Sequence, residues 1–195
     1  MSHKIMIRNF LAGVLLLLSL NTANAQFMGV SADAALSYSA VEGSVSGGTL
    51  GITHPVPLMP NIGFMRLSFA ETLQLDDQYK FNTDVSMRGM EFFYHIPFPI
   101  VTFAIGIGGG LMDLTTNVID GTRTIEILNH NTTIAEGFIR FGLSFGHVLD
   151  FHIGLHSIAT GSIDLAEGSA TDLSAYETKR DLTGTMTTVG IQLAF

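Results

Sequence analysis

His156 and Ser157 are the pair in this 195-residue chain whose types could do covalent chemistry, an imidazole base beside a hydroxyl nucleophile. They are adjacent in sequence. On a strand, neighbouring side chains point to opposite faces, so the pair forms no dyad without a bulge. His152 and His156 do share a face, but four residues of strand hold them about 13 Å apart, too far to ligate one metal. They read as two hydrogen-bonding imidazoles. Gly106-Ile107-Gly108-Gly109-Gly110 has the look of a phosphate cradle, yet it fits no dinucleotide fingerprint and opens no helix. Close strand packing accounts for it better. Asn131-Thr132-Thr133 is a glycosylation acceptor by pattern alone. The chain has no Cys, which excludes disulfides and thiolate zinc sites. No catalytic residue, metal site or cofactor is assigned. What remains is a set of ionisable residues at strand-like positions, and their role depends on which way the strands turn them.

Composition restricts those strands. With 47% hydrophobic and 13% charged residues the chain is not disordered, and a formal charge of −8 argues against a nucleic-acid partner. Residues 1–25 read as a cleaved secretory signal peptide. Lys4 and Arg8 form its basic start, Phe10 to Leu20 its apolar run, and Ala23-Asn24-Ala25 its cleavage site. The mature domain is then 26–195. No later stretch is long and apolar enough for a spanning helix. Two options stand: a soluble β-protein of the periplasm, or a β-barrel in the outer membrane.

Alternation of period two favours the barrel. Thr185, Thr187, Val189, Ile191, Leu193 and Phe195 share one face of the last segment, opposite Met186, Thr188, Gly190, Gln192 and Ala194. Upstream, Val30, Ala32, Ala34, Leu36 and Tyr38 alternate with Ser31, Asp33, Ala35 and Ser37. Val101, Phe103, Ile105 and Ile107 alternate with Thr102, Ala104, Gly106 and Gly108. Bulky residues on one face and Gly, Ala or Ser on the other suit a narrow barrel in lipid. Turn signals at 54–61, 95–99 and 146–150, with polar stretches near 39–47, 70–82, 113–131 and 159–183, give eight strands. Their expected spans are 27–38, 48–54, 62–70, 83–94, 100–112, 132–145, 151–159 and 184–195. The fold expected is all-β: an eight-stranded antiparallel up-and-down transmembrane β-barrel with both termini on the periplasmic side. Phe27, Tyr94, Phe98, Phe145, Phe151 and Phe195 would form its periplasmic aromatic girdle. Tyr38 and Tyr79 are candidates for the outer one.

A barrel of this size is filled by side chains. Face assignment puts Asp33, Glu136, Arg140, His152, His156 and Gln192 inside. Arg66 joins them if Met65, Leu67 and Phe69 face lipid. Arg88 and Glu91 have opposite parity, so both point inward only if the chain bulges at Gly89-Met90. The expectation is a lumen of three acids and three arginines in ion pairs. A charge facing lipid near the midplane would cost about 2–4 kcal/mol.

The C-terminal pattern Val189, Ile191, Leu193 and Phe195 resembles the terminal-strand signal that barrel-assembly machinery reads. The mature chain as a whole resembles small eight-stranded outer-membrane proteins of the OmpA/OmpX/OmpW-like kind. His54-Pro55-Val56-Pro57-Leu58-Met59-Pro60-Asn61 with its following strand looks like a motif of an uncharacterised Gly-Gly outer-membrane protein family. These resemblances imply a bacterial outer-membrane location. They imply outer-membrane lipid, lipopolysaccharide, periplasmic chaperones and the assembly machinery as partners, and no residue roles beyond the terminal signal. Small barrels include a lipid A deacylase with His and Ser two apart, a spacing that His156 and Ser157 do not have. The function expected is non-enzymatic: a barrel with a filled lumen, acting in envelope structure or surface interactions through acidic outer loops. A small-solute channel or hydrophobic transporter is the alternative, and a lipid-modifying enzyme a more distant one.

Overall fold

The computed structural model describes residues 28–41, 43–56, 58–74, 79–97, 100–120, 123–146, 148–161, 163–164 and 179–195. The expected signal segment, Phe27 and Phe98 lie outside them, as does the side chain of Tyr79. The strands are β1 (Gly29–Tyr38), β2 (Val45–Thr53), β3 (Asn61–Gln74), β4 (Tyr79–Pro97), β5 (Val101–Asp120), β6 (Arg123–Phe145), β7 (Leu149–Thr160), β8 (Ile163–Asp164), β9 (Lys179–Arg180) and β10 (Gly184–Ala194). Eight of them close a barrel in the order β1-β10-β7-β6-β5-β4-β3-β2, while β8 and β9 form a separate two-stranded ribbon. Every pairing is antiparallel. Closure leaves no strand edge to satisfy, which is what lets a sheet cross a membrane.

Gly29 pairs with Ala194 and with Thr53, so the first and last strands meet at the end that carries the short turns. Gly146 sits in the β6–β7 turn at φ 65°, a left-handed conformation that glycine adopts without a Cβ penalty. At the other end β3 to β6 run well past the expected boundaries. Their pairing continues to Gln74↔Lys80, Tyr79↔Asp120 and Asp120↔Arg123. Much of 70–82 and 113–131, read as loop for its polarity, is therefore strand standing beyond the apolar belt. Polarity marks where the outward apolar rows end, and backbone pairing does not stop there.

The outward rows are bulky and apolar. Val30, Leu50, Phe64, Phe92, Ile105, Ile107, Phe141, Ile153, Leu155 and Ile191 are all exposed. Tyr94, Phe145, Phe151 and Phe195 are exposed near the turn end, with Phe145 and Phe151 edge to face at 5.8 Å. Tyr38 is a correction. The register of β1 against β10 slips between Ala35 and Ser37, a bulge that reverses parity. Tyr38 turns into the barrel, where it packs on Phe69 and its hydroxyl donates to the carbonyl of Leu182.

The interior is layered. Towards the loop end, Tyr38, Met65, Leu67, Phe69, Val85, Met87, Met112, Leu114, Ile134, Ile158, Leu182 and Met186 form one buried apolar plug. Four methionines suit such a space, since an unbranched side chain fills irregular gaps. Leu182 is seated by its neighbours: Asp181 accepts from the Thr183 backbone N–H at 2.8 Å. The Thr183 hydroxyl and backbone N–H, with Thr160, hold the Asp181 carboxyl below its ordinary pKa. Below the plug lies a layer of ionisable groups.

Candidate functional site

Arg140 of β6 is the centre of that layer. Its Nη2 donates to Glu91 Oε2 at 2.7 Å and lies 3.5 Å from Asp33 Oδ2. Its guanidinium carbon stands 5.0 Å from the Phe93 ring centroid and 4.4 Å from that of Phe138, a cation held between two aromatic faces. Thr49 donates to the other Glu91 oxygen at 2.9 Å. His152 Nε2 is 2.6 Å from Asp33 Oδ1, and His156 Nδ1 is 2.6 Å from Glu136 Oε1. All six ionisable side chains are nearly or fully buried. Nearer the turn end, His95 lies 3.9 Å from Asp150.

Alternation explains how four strands, β1, β4, β6 and β7, aim these six groups at one axis. Asp33, Glu91, Glu136, Arg140, His152 and His156 all take inward positions. Inward glycines opposite them supply the room. A Cβ on Gly108 would stand 2.8 Å from Glu136 Oε2, and one on Gly63 2.9 Å from Glu91 Oε2. A Cβ on Gly190 would collide with both Asp33 Oδ1 and His152 Nε2. The small inner face is thus a set of recesses for long charged side chains.

Two residues expected here are elsewhere. Met65, Leu67 and Phe69 face inward in the apolar plug, so Arg66 faces outward and is exposed. The pairing Phe64↔Met90, Met65↔Gly89, Arg66↔Arg88 is continuous, so no bulge forms at Gly89-Met90. Odd-numbered residues of β4 face in; Glu91 reaches the lumen without a bulge, and Arg88 points out, 3.7 Å from Asp113. The expected matched set of three acids and three arginines is therefore wrong. The layer around Arg140 holds Asp33, Glu91 and Glu136 against one guanidinium and two imidazoles, with His95 and Asp150 nearer the turn end.

Sequence reasoning missed a further arrangement. His156 Nε2 is 3.2 Å from Thr188 Oγ1, while Nδ1 is bound by Glu136. Hydroxyl, imidazole and carboxylate thus have the connectivity of a nucleophile, base and orienting acid. Thr188 and His156 are completely enclosed, however, and the void beside Arg140 and His152 measures about 10 Å³. That admits about one water and no substrate. Ser157 faces outward and takes no part. Single ligand atoms of Glu91, Glu136 and His156 also lie within 4.8 Å of one another, a spacing that suits a metal. Glu91 is committed to Arg140 and Thr49, and His156 to Glu136 and Thr188, so the cluster is an ion-pair network.

Val189, Ile191, Leu193 and Phe195 all face outward at the closing strand. No family model matches the chain, and no curated protein matches it. Among solved structures, Neisserial surface protein A aligns with a TM-score of 0.56 at 11% identity, covering 86% of this chain and 97% of that one. The N-terminal β-barrel domain of Pseudomonas aeruginosa OprF aligns at a TM-score of 0.46 and 12% identity, covering 87% and 98%. What the chain shares with the neisserial surface protein, over nearly all of that protein's length, is its fold: a small, closed, eight-stranded antiparallel barrel.

Proposed function

We propose that the chain is a bacterial outer-membrane barrel, exported by a signal peptide cleaved near Ala25, whose closed lumen is structural. It acts non-enzymatically at the outer surface, in envelope structure or surface interactions through the acidic loops. The observation that carries this reading is the inverted polarity of the wall: apolar side chains on the outside of all eight strands, ionisable groups at the axis. In water that arrangement would expose a continuous apolar band, far more than a soluble protein leaves uncovered. The outward face of Val189, Ile191, Leu193 and Phe195 fits recognition by barrel-assembly machinery after escort by periplasmic chaperones. The surface location named for the neisserial protein of like fold agrees. Cell fractionation with gel mobility of unboiled and boiled samples tests it: the chain should sediment with the outer membrane and shift on heating. Recovery from the soluble periplasm, with no shift, overturns it.

A further inference from the structure

The two arginines displaced from the lumen mark a site on the outside of the barrel. Outward residues form rows across β2, β3, β4 and β5. One row is Ile52, Ile62, Phe92 and Ile107; the next, towards the loop end, is Leu50, Phe64, Met90 and Gly109. The row after that is Gly48, Arg66, Arg88 and Leu111, and then come Ser46, Ser68, Ser86 and Asp113. The wall changes from apolar to cationic to hydroxylic within three rows. Arginine facing acyl chains is costly, so the arginine row sits at the edge of the hydrocarbon.

Arg66 and Arg88 are directly opposed, and like charges so placed repel. Asp113 reaches Arg88 at 3.7 Å, while Arg66 has no carboxylate within ion-pair distance among the described residues. The pair keeps net positive charge in a chain that is otherwise acidic. Immediately above it is an open cleft of about 420 Å³, lined among others by Ser46, Ser68, Ser86, Asp84, Asp113 and Thr115. Hydroxyls and carboxylates of that kind hydrogen-bond a sugar, whereas two guanidinium forks fit a phosphate.

The geometry points to a binding site for a phosphorylated glycolipid of the outer leaflet. Its phosphate sits on Arg66 and Arg88, its sugar in the serine cleft, and its acyl chains lie along Leu50, Phe64, Met90 and Phe92. This rests on the outer-membrane reading above, with the loop end facing out.

The test uses the whole chain folded in detergent, titrated with bisphosphorylated lipid A and followed by native mass spectrometry. The double variant Arg66→Gln/Arg88→Gln should lose at least about tenfold in affinity, since both charge-assisted contacts go. Lys80→Gln, exposed on the same face of β4 but farther out, should keep wild-type affinity. A heat-shifted band for each variant shows that it is folded. Dephosphorylated lipid A should bind as weakly to the wild type as lipid A does to the double variant. Inorganic phosphate at the same concentration should not displace the lipid. Equal affinity of double variant and wild type overturns the site, and displacement by inorganic phosphate overturns its assignment to a lipid. Because binding is read on purified protein, a failed fractionation experiment leaves this result separately legible.

Discussion

At the scale of single residues, the lumen depends on Arg140. Two carboxylates, from Glu91 and Asp33, meet on one guanidinium in a compartment with almost no room for water. Removing one partner of a buried pair leaves an uncompensated charge, which costs about 3–5 kcal/mol. Arg140→Met should therefore lower the unfolding free energy in urea by about that amount in lipid vesicles. Wild-type stability would show that the carboxylates find another proton or cation. The glycines give a paired test. Gly190→Ala places a methyl group against Asp33 and His152 and should cost about 1–3 kcal/mol, the usual penalty of overpacking. Gly137→Ala, with nothing within 4 Å of the added carbon, should be near neutral. Equal effects at the two positions would mean that the recesses do not matter.

At the scale of elements, alternation was legible wherever only one face was bulky. On β5, β7 and β10 the larger side chains point outward and small or polar residues such as Gly106, Gly154, His152 and Thr188 point inward, while on β6 the charges of Glu136 and Arg140 mark the inner face, so parity could be read directly. On β3 both faces are apolar, with Ile62 and Phe64 outside and Met65, Leu67 and Phe69 inside. The rule of greasy outside cannot choose there, and it chose wrongly for Arg66. It also had no provision for an apolar plug, whose long-range packing against β4, β5 and β10 no local pattern announces. The bulge in β1 is equally silent, because Leu36 and Tyr38 both look fit for lipid. Ion partners were legible only as a set of charges. That Arg140 binds Glu91 and Asp33, and that His152 and His156 bind Asp33 and Glu136, follows from strand stagger around the closed wall. Spin labels test the parity: at Ile105, Phe141 and Ile191 they should report hydrocarbon. At Thr115 and Asn131, outward positions beyond the belt, they should report water, and at Met65 an immobilised label inside the barrel. Water at the first three positions would dismantle the membrane reading.

At the scale of the whole molecule, the question is whether anything passes through. Two occluding layers lie in series along the axis, of different chemistry: the ion-pair network around Arg140, and the plug that includes Met87 and Met112. An ion entering from the turn end meets charges already paired with one another, then a dry layer that cannot solvate it. Planar bilayers should therefore record a closed trace for the wild type. Arg140→Ala opens only the first layer and Met87→Ala/Met112→Ala only the second, so each should stay closed while folding less stably. Cavities of that kind lined by apolar atoms stay dry, which is why the methionine pair alone gives no pathway. The triple variant breaches both layers at once and should show discrete conductance steps, provided its heat-shifted band confirms a folded barrel. Steps from the wild type would instead make the lumen a pore, and the ion pairs its lining.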